Sequence, residues 1–397
     1  MEIINSNFKK IWIGRLISNF GDSIYSITVS WYLINYTNNP FWLGVLNAAA
    51  FAPTLFSFVF GHWIDNKSQR KILVYLEVGQ SIATLTITLL LVMKIDQPFL
   101  ICLFVFFASL FGMNTYIVQD AFIPKLVNKN ELEEAQMYMS LGYKTSDLLF
   151  NAISGFLISI LNISIIMLTS FFSFIFSAFL FKKIDVLEED HHFANDSNSK
   201  NNIFEGFRII LSSRILLVLT MGATISNILF SGFNIYIIMI AKNLESPILL
   251  GLMNAGLAIG SILGSTIVTR VLLSEKSLYQ KLAIGTILYG FVLFISFIFT
   301  ESYSIIILLT ISGIPLGITH TVINPIIQSH VPERDLGKVF SSKYTIEVGV
   351  MPLASLLFGG IAKILPTNIF FIIFGLTYIF IGILYTYFIR EDQSIKL

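Results

Sequence analysis

Twelve stretches of roughly twenty mostly apolar residues, each long enough to cross a bilayer as a helix, follow one another along this chain with only short polar breaks. They read as 11–36, 42–62, 72–93, 98–119, 135–160, 164–182, 213–240, 248–270, 279–299, 303–326, 339–363 and 367–389. Many breaks carry turn chemistry, as in Asn38-Asn39-Pro40, Asp96-Gln97-Pro98, Glu245-Ser246-Pro247 and Pro366-Thr367-Asn368. Only 12% of residues are charged and mean hydropathy is +0.78, whereas soluble domains carry roughly a quarter charged residues. So few charges cannot cover a water-facing surface. The expected fold is therefore all-α and integral to the membrane, with the lipid bilayer as its surroundings and 397 residues leaving no room for a large soluble domain.

The net charge of +1 gives nucleic acid no electrostatic hold. Cys102 is the single cysteine and lies within an apolar run, which excludes disulfides and thiolate metal sites. Lys9 and Lys10 before an apolar segment mimic a secretory leader. That segment continues to about Tyr36 without a small-residue cleavage site, so it reads as a retained first helix.

Orientation follows from the basic residues. With the N-terminus placed in the cytoplasm, twenty of the 25 Lys and Arg fall in inner loops and flanks, among them Lys67, Arg70, Lys71, Arg270, Arg334, Lys338 and Lys343. Only Lys94, Lys242 and Lys363 fall outside, while Arg15 and Lys144 lie within spans. Both termini are thus expected in the cytoplasm. A miscounted span would have scrambled this bias by inverting every later loop.

The chain also repeats. Leu43-Gly44-Val45-Leu46-Asn47-Ala48 opens the second span and Leu250-Gly251-Leu252-Met253-Asn254-Ala255 the eighth. Ser18-Asn19 is matched by Ser226-Asn227, one residue out of strict register, and Ile123-Pro124 by Val331-Pro332. Six spans per unit imply parallel halves about an axis along the membrane normal. The expected organisation is a six-helix bundle over 1–183, a linker over 184–212 and a second bundle over 213–397. Most of the linker is polar and aperiodic, as in Glu188-Glu189-Asp190-His191-His192. The histidine pair there reads as part of a solvated charge run, since no further metal ligands stand at suitable spacing.

Between the second and third spans, Gly61-His62-Trp63-Ile64-Asp65-Asn66-Lys67-Ser68-Gln69-Arg70-Lys71 resembles the signature loop of the major facilitator superfamily. Gly61, Asp65, Arg70 and Lys71 fit that pattern, while Asn66 stands where Arg is usual. Gly14-Arg15-Leu16-Ile17-Ser18-Asn19-Phe20-Gly21-Asp22 and Ala121-Phe122-Ile123-Pro124 are similar to the macrolide-efflux and siderophore-exporter branch. The resemblance covers the whole chain and implies two pseudo-symmetric six-helix bundles. It also implies a gating loop in which Asp65 locks the inward gate by meeting a helix end in the other half. The plainer alternative is that Asp65, Arg70 and Lys71 anchor the loop among lipid headgroups. Two features depart from drug–proton antiporters: Phe104 to Ile117 holds no basic residue, and Phe150-Asn151-Ala152-Ile153-Ser154-Gly155 keeps only one glycine of the usual fifth-span pattern.

A charge near the bilayer centre costs at least about 2.5–3.5 kcal/mol, so each one requires a reason. Asp22 lies midway along the first span with Arg15 two turns earlier on the same face. It is a proton carrier facing a cavity or half of a static pair. Lys144 and Asp147 stand at i, i+3, near enough to pair, and Asp147 is either half of that pair or a further candidate proton carrier. Glu347 has no basic neighbour inside its own span, and an unpartnered carboxyl is suited to carrying a proton. Glu77 and Asp120 lie within a turn or two of the cytoplasmic ends, where snorkelling or contact with basic loops accounts for them. Asn19, Trp31, Tyr143, Asn227, Phe233 and Tyr236 are candidates to line a central cavity for a bulky, partly apolar substrate.

These observations lead to a secondary transporter that exports an amphipathic small molecule, a macrolide-like drug or a metabolite such as a siderophore. Proton antiport comes from the resemblance, with the proton gradient as energy source and no cofactor. A monomer in the cytoplasmic membrane of a bacterium is expected. An importer or a lipid transporter on the same fold is the alternative. No cluster of His, Asp and Glu on neighbouring spans supports an enzyme.

Overall fold

The computed structural model describes residues 5–56, 68–95, 97–128, 131–185 and 205–395, and these are helical almost throughout. In chain order the helices are α1 (Ser6–Thr37), α2 (Pro40–Phe51), α3 (Gln69–Val92), α4 (Pro98–Leu126), α5 (Leu132–Ile160), α6 (Ile163–Lys182), α7 (Glu205–Ser212) and α8 (Arg214–Asn243). They continue as α9 (Pro247–Leu263), α10 (Leu278–Ser296), α11 (Ile305–Gln328), α12 (Glu333–Gly349), α13 (Met351–Ile361) and α14 (Thr367–Ile395).

Among the described residues, nine helical segments are long and apolar enough to cross a membrane. Three of the twelve expected spans fall outside that count. The first span is α1, 32 residues long and interrupted by Arg15 and Asp22. The second is α2, which tightens into a 3₁₀ turn over Ala52–Phe56 at Pro53, where the backbone has no N–H to donate. The fifth lies in α5, whose apolar part is confined to Leu149–Ile160.

Local chemistry explains the breaks. Ser246 caps α9 by accepting from the Leu249 N–H, and Pro247 follows at the first helical position, where a missing N–H does no harm. Asn38 and Glu245, at matching places in the repeat, take left-handed φ values of 49° and 50°, each two residues before a helix-opening proline. Ser277 and Gln280 form a capping box on α10. The expected eleventh span, 339–363, divides at Val350 into α12 and α13, because Pro352 cannot donate to the preceding turn.

The chain forms two compact units, one of Met1–Leu33 with Ala49–Asn202 and the other of Ile34–Ala48 with Ile203–Leu397. In the first, α3 packs on α4 and α6. Its core gathers Phe8, Ile11, Leu73, Leu76, Val118, Phe122, Met139 and Phe181. In the second, α10 packs on α11 and α14, and α9 packs on α11. Glycines let α9 and α11 approach closely, since a Cβ on Gly260 would lie 2.9 Å from the Gly313 Cα.

The second unit also takes in the end of α1 and most of α2. A Cβ on Gly44 would lie 2.8 Å from the Gly359 Cα of α13. Beside this contact the Lys242 ammonium donates to the Ile34 carbonyl at 3.1 Å and to Asn38 Oδ1. Within the stretch 184–212 the structure adds α7, which buries Gly206 and Ile210 and packs on α12. The acidic and histidine run 188–192 lies outside the described residues.

Candidate functional site

Polar side chains converge inside the first unit at helical spacing. On α1 they are Arg15, Ser18, Asn19 and Asp22, an i, i+3, i+4, i+7 set that shares one face. On α3 they are Glu77, Gln80, Ser81, Thr84 and Thr88, all buried and again on one face. The two stripes meet through side-chain bonds. The Ser18 hydroxyl donates to Glu77 Oε1 at 3.0 Å, and the Gln80 amide donates to Asp22 Oδ1.

Helix α4 completes the cluster with Tyr116. Its hydroxyl donates to Asn19 Oδ1 at 3.0 Å, and the Arg15 guanidinium lies over its ring, 3.0 Å from the centroid. A guanidinium on a tyrosine face gains from the ring quadrupole, all the more when water is excluded, and Arg15 is only 2% exposed. Arg15 and Asp22 both act electrostatically on the Glu77 carboxyl, with Ser177 of α6 against it. Glu77 is fully buried, and its Oε2 has no hydrogen-bond partner. Asp22 is half-buried. The cluster thus places one fixed cation beside two carboxyl groups.

Glu77 is the main correction to the sequence-based expectations. Its place two turns into α3 is the expected one, but neither snorkelling nor contact with basic loops accounts for a carboxyl that is wholly buried and accepts from Ser18 of α1. The missed signal is the run of polar residues at helical spacing along α3, which marks an inward face on an otherwise apolar segment.

Glu347 is corrected as well. The Lys343 ammonium lies 2.7 Å from Glu347 Oε2, so the carboxyl has a basic neighbour one turn earlier in α12. Residues i and i+4 share a helix face, which brings the two together. Lys343 had been counted with the cytoplasmic flank. Asn227 of α8 is tied to the same place, its amide donating to the Glu347 carbonyl at 3.1 Å in the turn before the break at Val350.

Phe233 and Tyr236 do not line open space. They are 2% and 0% exposed. Tyr236 stacks on Phe370 at 4.1 Å between centroids and donates its hydroxyl to the Leu365 carbonyl, while Phe233 packs against Phe371 and Phe374. Large flat rings in an apolar bundle gain most from one another. Asn19 is buried in the polar cluster, and Trp31 is half-buried on α1.

The side chains of Tyr143, Lys144 and Asp147 on α5 lie outside the described residues, as do Gly61 and Asp65. Of the signature loop, Arg70 donates to the Ile184 carbonyl just past α6 at 3.1 Å, and Lys71 is exposed. Among the described residues no group of three or more His, Cys, Asp and Glu is arranged to hold a metal ion.

Comparison with known proteins accords with this architecture. A family model described as transmembrane secretion effector matches residues 3–393. The chain belongs to the transmembrane secretion effector family, a macrolide-efflux-like branch of the major facilitator superfamily. No curated protein matches it by sequence.

Solved transporters share the fold at low identity. A bacterial homologue of the lysosomal transporter Spinster, in an inward-facing state, is 13% identical with a TM-score of 0.71, covering 96% of this chain and 97% of the other. The nucleoside transporter NupG is 12% identical with a TM-score of 0.74, covering 96% and 98%. A bacterial homologue of the iron transporter ferroportin, also inward-facing, is 15% identical with a TM-score of 0.70, covering 96% of each chain. This secretion effector is therefore a multi-pass secondary transporter of a small substrate, not an enzyme.

Proposed function

We propose that this transporter exports an amphipathic small molecule in exchange for protons, by alternating access between two six-helix bundles. The observation that carries this reading is the pair of carboxyl groups, Asp22 and Glu77, held beside Arg15 within apolar helices of the first unit. Charged groups at such depth are costly and are kept for ion or proton pathways. In this scheme α1, the α2 segment and α5 join the nine clear spans to make twelve, both termini face the cytoplasm, and the membrane is the cytoplasmic membrane of a bacterium. The Lys242–Asn38 bond and the Gly44–Gly359 approach, both within the second unit, then lie toward the outer face.

The test uses inverted membrane vesicles and a panel of ethidium, a radiolabelled macrolide and an iron-chelating siderophore. Uptake of at least one compound is expected to collapse when the pH gradient is dissipated by nigericin. Uptake indifferent to the gradient overturns proton antiport. Accumulation only in right-side-out vesicles makes the protein an importer. Movement of none of these while a fluorescent phospholipid is translocated makes it a lipid transporter. Single cysteines at Asn39 and Ser274, in a Cys102→Ser background, test orientation with an impermeant maleimide on intact cells. Asn39 is expected to react and Ser274 to be protected.

A further inference from the structure

We propose that Arg15, Asp22 and Glu77 form a charge-balanced triad that holds a single exchangeable proton, carried on Glu77. The inference rests on proton-driven export for the use made of that proton, and it extends the coupling site to a residue of α3.

Within an apolar bundle the stable charge state is the neutral one, because each unpaired ion pays its full desolvation cost. Arg15 stays protonated and supplies one positive charge. It can balance one carboxylate but not two. The second carboxyl must therefore bind a proton, and the hydrogen bonds decide which one does. Asp22 Oδ1 accepts from the Gln80 amide and is half-buried, conditions that suit the ionised form. Glu77 is wholly buried, accepts at Oε1 from Ser18, and leaves Oε2 without a partner. A lone oxygen of that kind is costly on a carboxylate and is the natural position for an O–H.

Among the described residues, Asp22 and Glu77 are the carboxyls bonded into this cluster, and the other groups near them are these. From α1 come Arg15, Asp22 and Tyr25, whose phenol lies 3.4 Å from the Ser109 hydroxyl. From α4 come Tyr116 beneath Arg15 and Asp120, an exposed residue whose carboxyl reaches Arg15. From α6 comes the Ser177 hydroxyl. In the exchange itself a proton from water forms the O–H bond at Oε2 and returns to water when that bond breaks.

Dicyclohexylcarbodiimide reports the triad without any transport, since it modifies protonated carboxyls in apolar surroundings. With the purified full chain in detergent micelles at neutral pH, mass spectrometry is expected to find one adduct on Glu77 and none on Asp22. In Asp22→Asn, Glu77 is the bonded carboxyl of the cluster left to balance Arg15, and labelling should fall at least tenfold. In Arg15→Gln/Asp22→Asn, Glu77 has no cation to balance, and labelling should return.

An unlabelled Glu77 in the wild type overturns the proposal, as does equal labelling in Asp22→Asn. If Asp22→Asn is not monodisperse, Glu77→Gln and Arg15→Gln/Glu77→Gln put the same question to Asp22. It should be unlabelled in the first and labelled in the second, and equal labelling of Asp22 in both overturns the proposal. An intact labelling pattern with export indifferent to the pH gradient refutes the coupling and leaves the triad standing. Gradient-driven export with an unlabelled Glu77 does the opposite.

Discussion

Replacing Lys343 by Met removes the hydrogen-bond donor and countercharge that lie 2.7 Å from Glu347 Oε2, in a pair whose side chains are only 11% and 10% exposed. The other carboxylate oxygen, Oε1, already has no hydrogen-bond partner. Lys343→Met therefore strands a buried carboxyl, and breaking a buried pair from one side costs about 3–5 kcal/mol. Glu347→Gln leaves the Lys343 ammonium without its countercharge and costs about 3 kcal/mol, the low end of that range, because the amide oxygen still accepts from it. The double variant Lys343→Met/Glu347→Gln leaves no charge behind, and its cost should fall to roughly 1–2 kcal/mol, since an uncharged replacement of a buried pair is often near neutral. The second substitution is thus expected to rescue the first. Thermal unfolding in a single detergent, followed by intrinsic fluorescence or by monodispersity after heating, measures all three against the wild type. If Lys343→Met unfolds at the wild-type temperature, or the double variant is less stable than either single one, the pair is not buried as described and Glu347 regains its standing as an unpartnered carboxyl.

Other consequences follow from close contacts and from the polar cluster. Gly44→Val drives a side chain into the backbone of α13 around Gly359, at an overpacking cost of about 1–3 kcal/mol. Transport should be lost, and a cysteine at Asn38 should become more accessible to impermeant reagents; wild-type activity would refute a need for the close approach of α2 to α13. Gly260→Leu forces α9 away from α11, where even a Cβ would stand 2.9 Å from Gly313, and should lower thermal stability, whereas Gly360→Ala, with nothing within 4 Å of its Cβ, should not. Tyr116→Phe keeps a ring beneath Arg15 and loses only the bond to Asn19, about 1 kcal/mol. Tyr116→Leu loses the cation–π contact too, a further ~2 kcal/mol in a site shielded from water. Equal melting temperatures for these two variants would show that the ring face contributes nothing.

Hydropathy and loop chemistry made most of the architecture legible. Pro40 and Pro247 open helices where the turn residues Asn38-Asn39 and Glu245-Ser246 announce them, and the repeated Leu-Gly-x-x-Asn-Ala motif falls in the first turns of α2 and α9. The candidate site was half legible. Arg15, Asn19 and Asp22 stand out because charge and amide on an apolar helix are conspicuous. Glu77 and Gln80 do not stand out by distance from the helix end; only helical phase along α3 puts them on one inward face. Phe233 and Tyr236 look alike whether they border a cavity or a neighbouring ring, and only Phe370, Phe371 and Phe374 show that they border rings.

What the sequence by itself determined was the solvent, the helical class and the family, because these depend on composition, on the length of apolar runs and on motifs contiguous in the chain. Which charges are partnered was decided only by the tertiary structure. Ser18 meets Glu77 and Gln80 meets Asp22 across dozens of intervening residues, through side chains that α1 and α3 turn toward one another. A polar side chain costs the same to bury wherever it is written in the chain, but what satisfies it is set by which helix face lies opposite, and linear spacing carries no information about that.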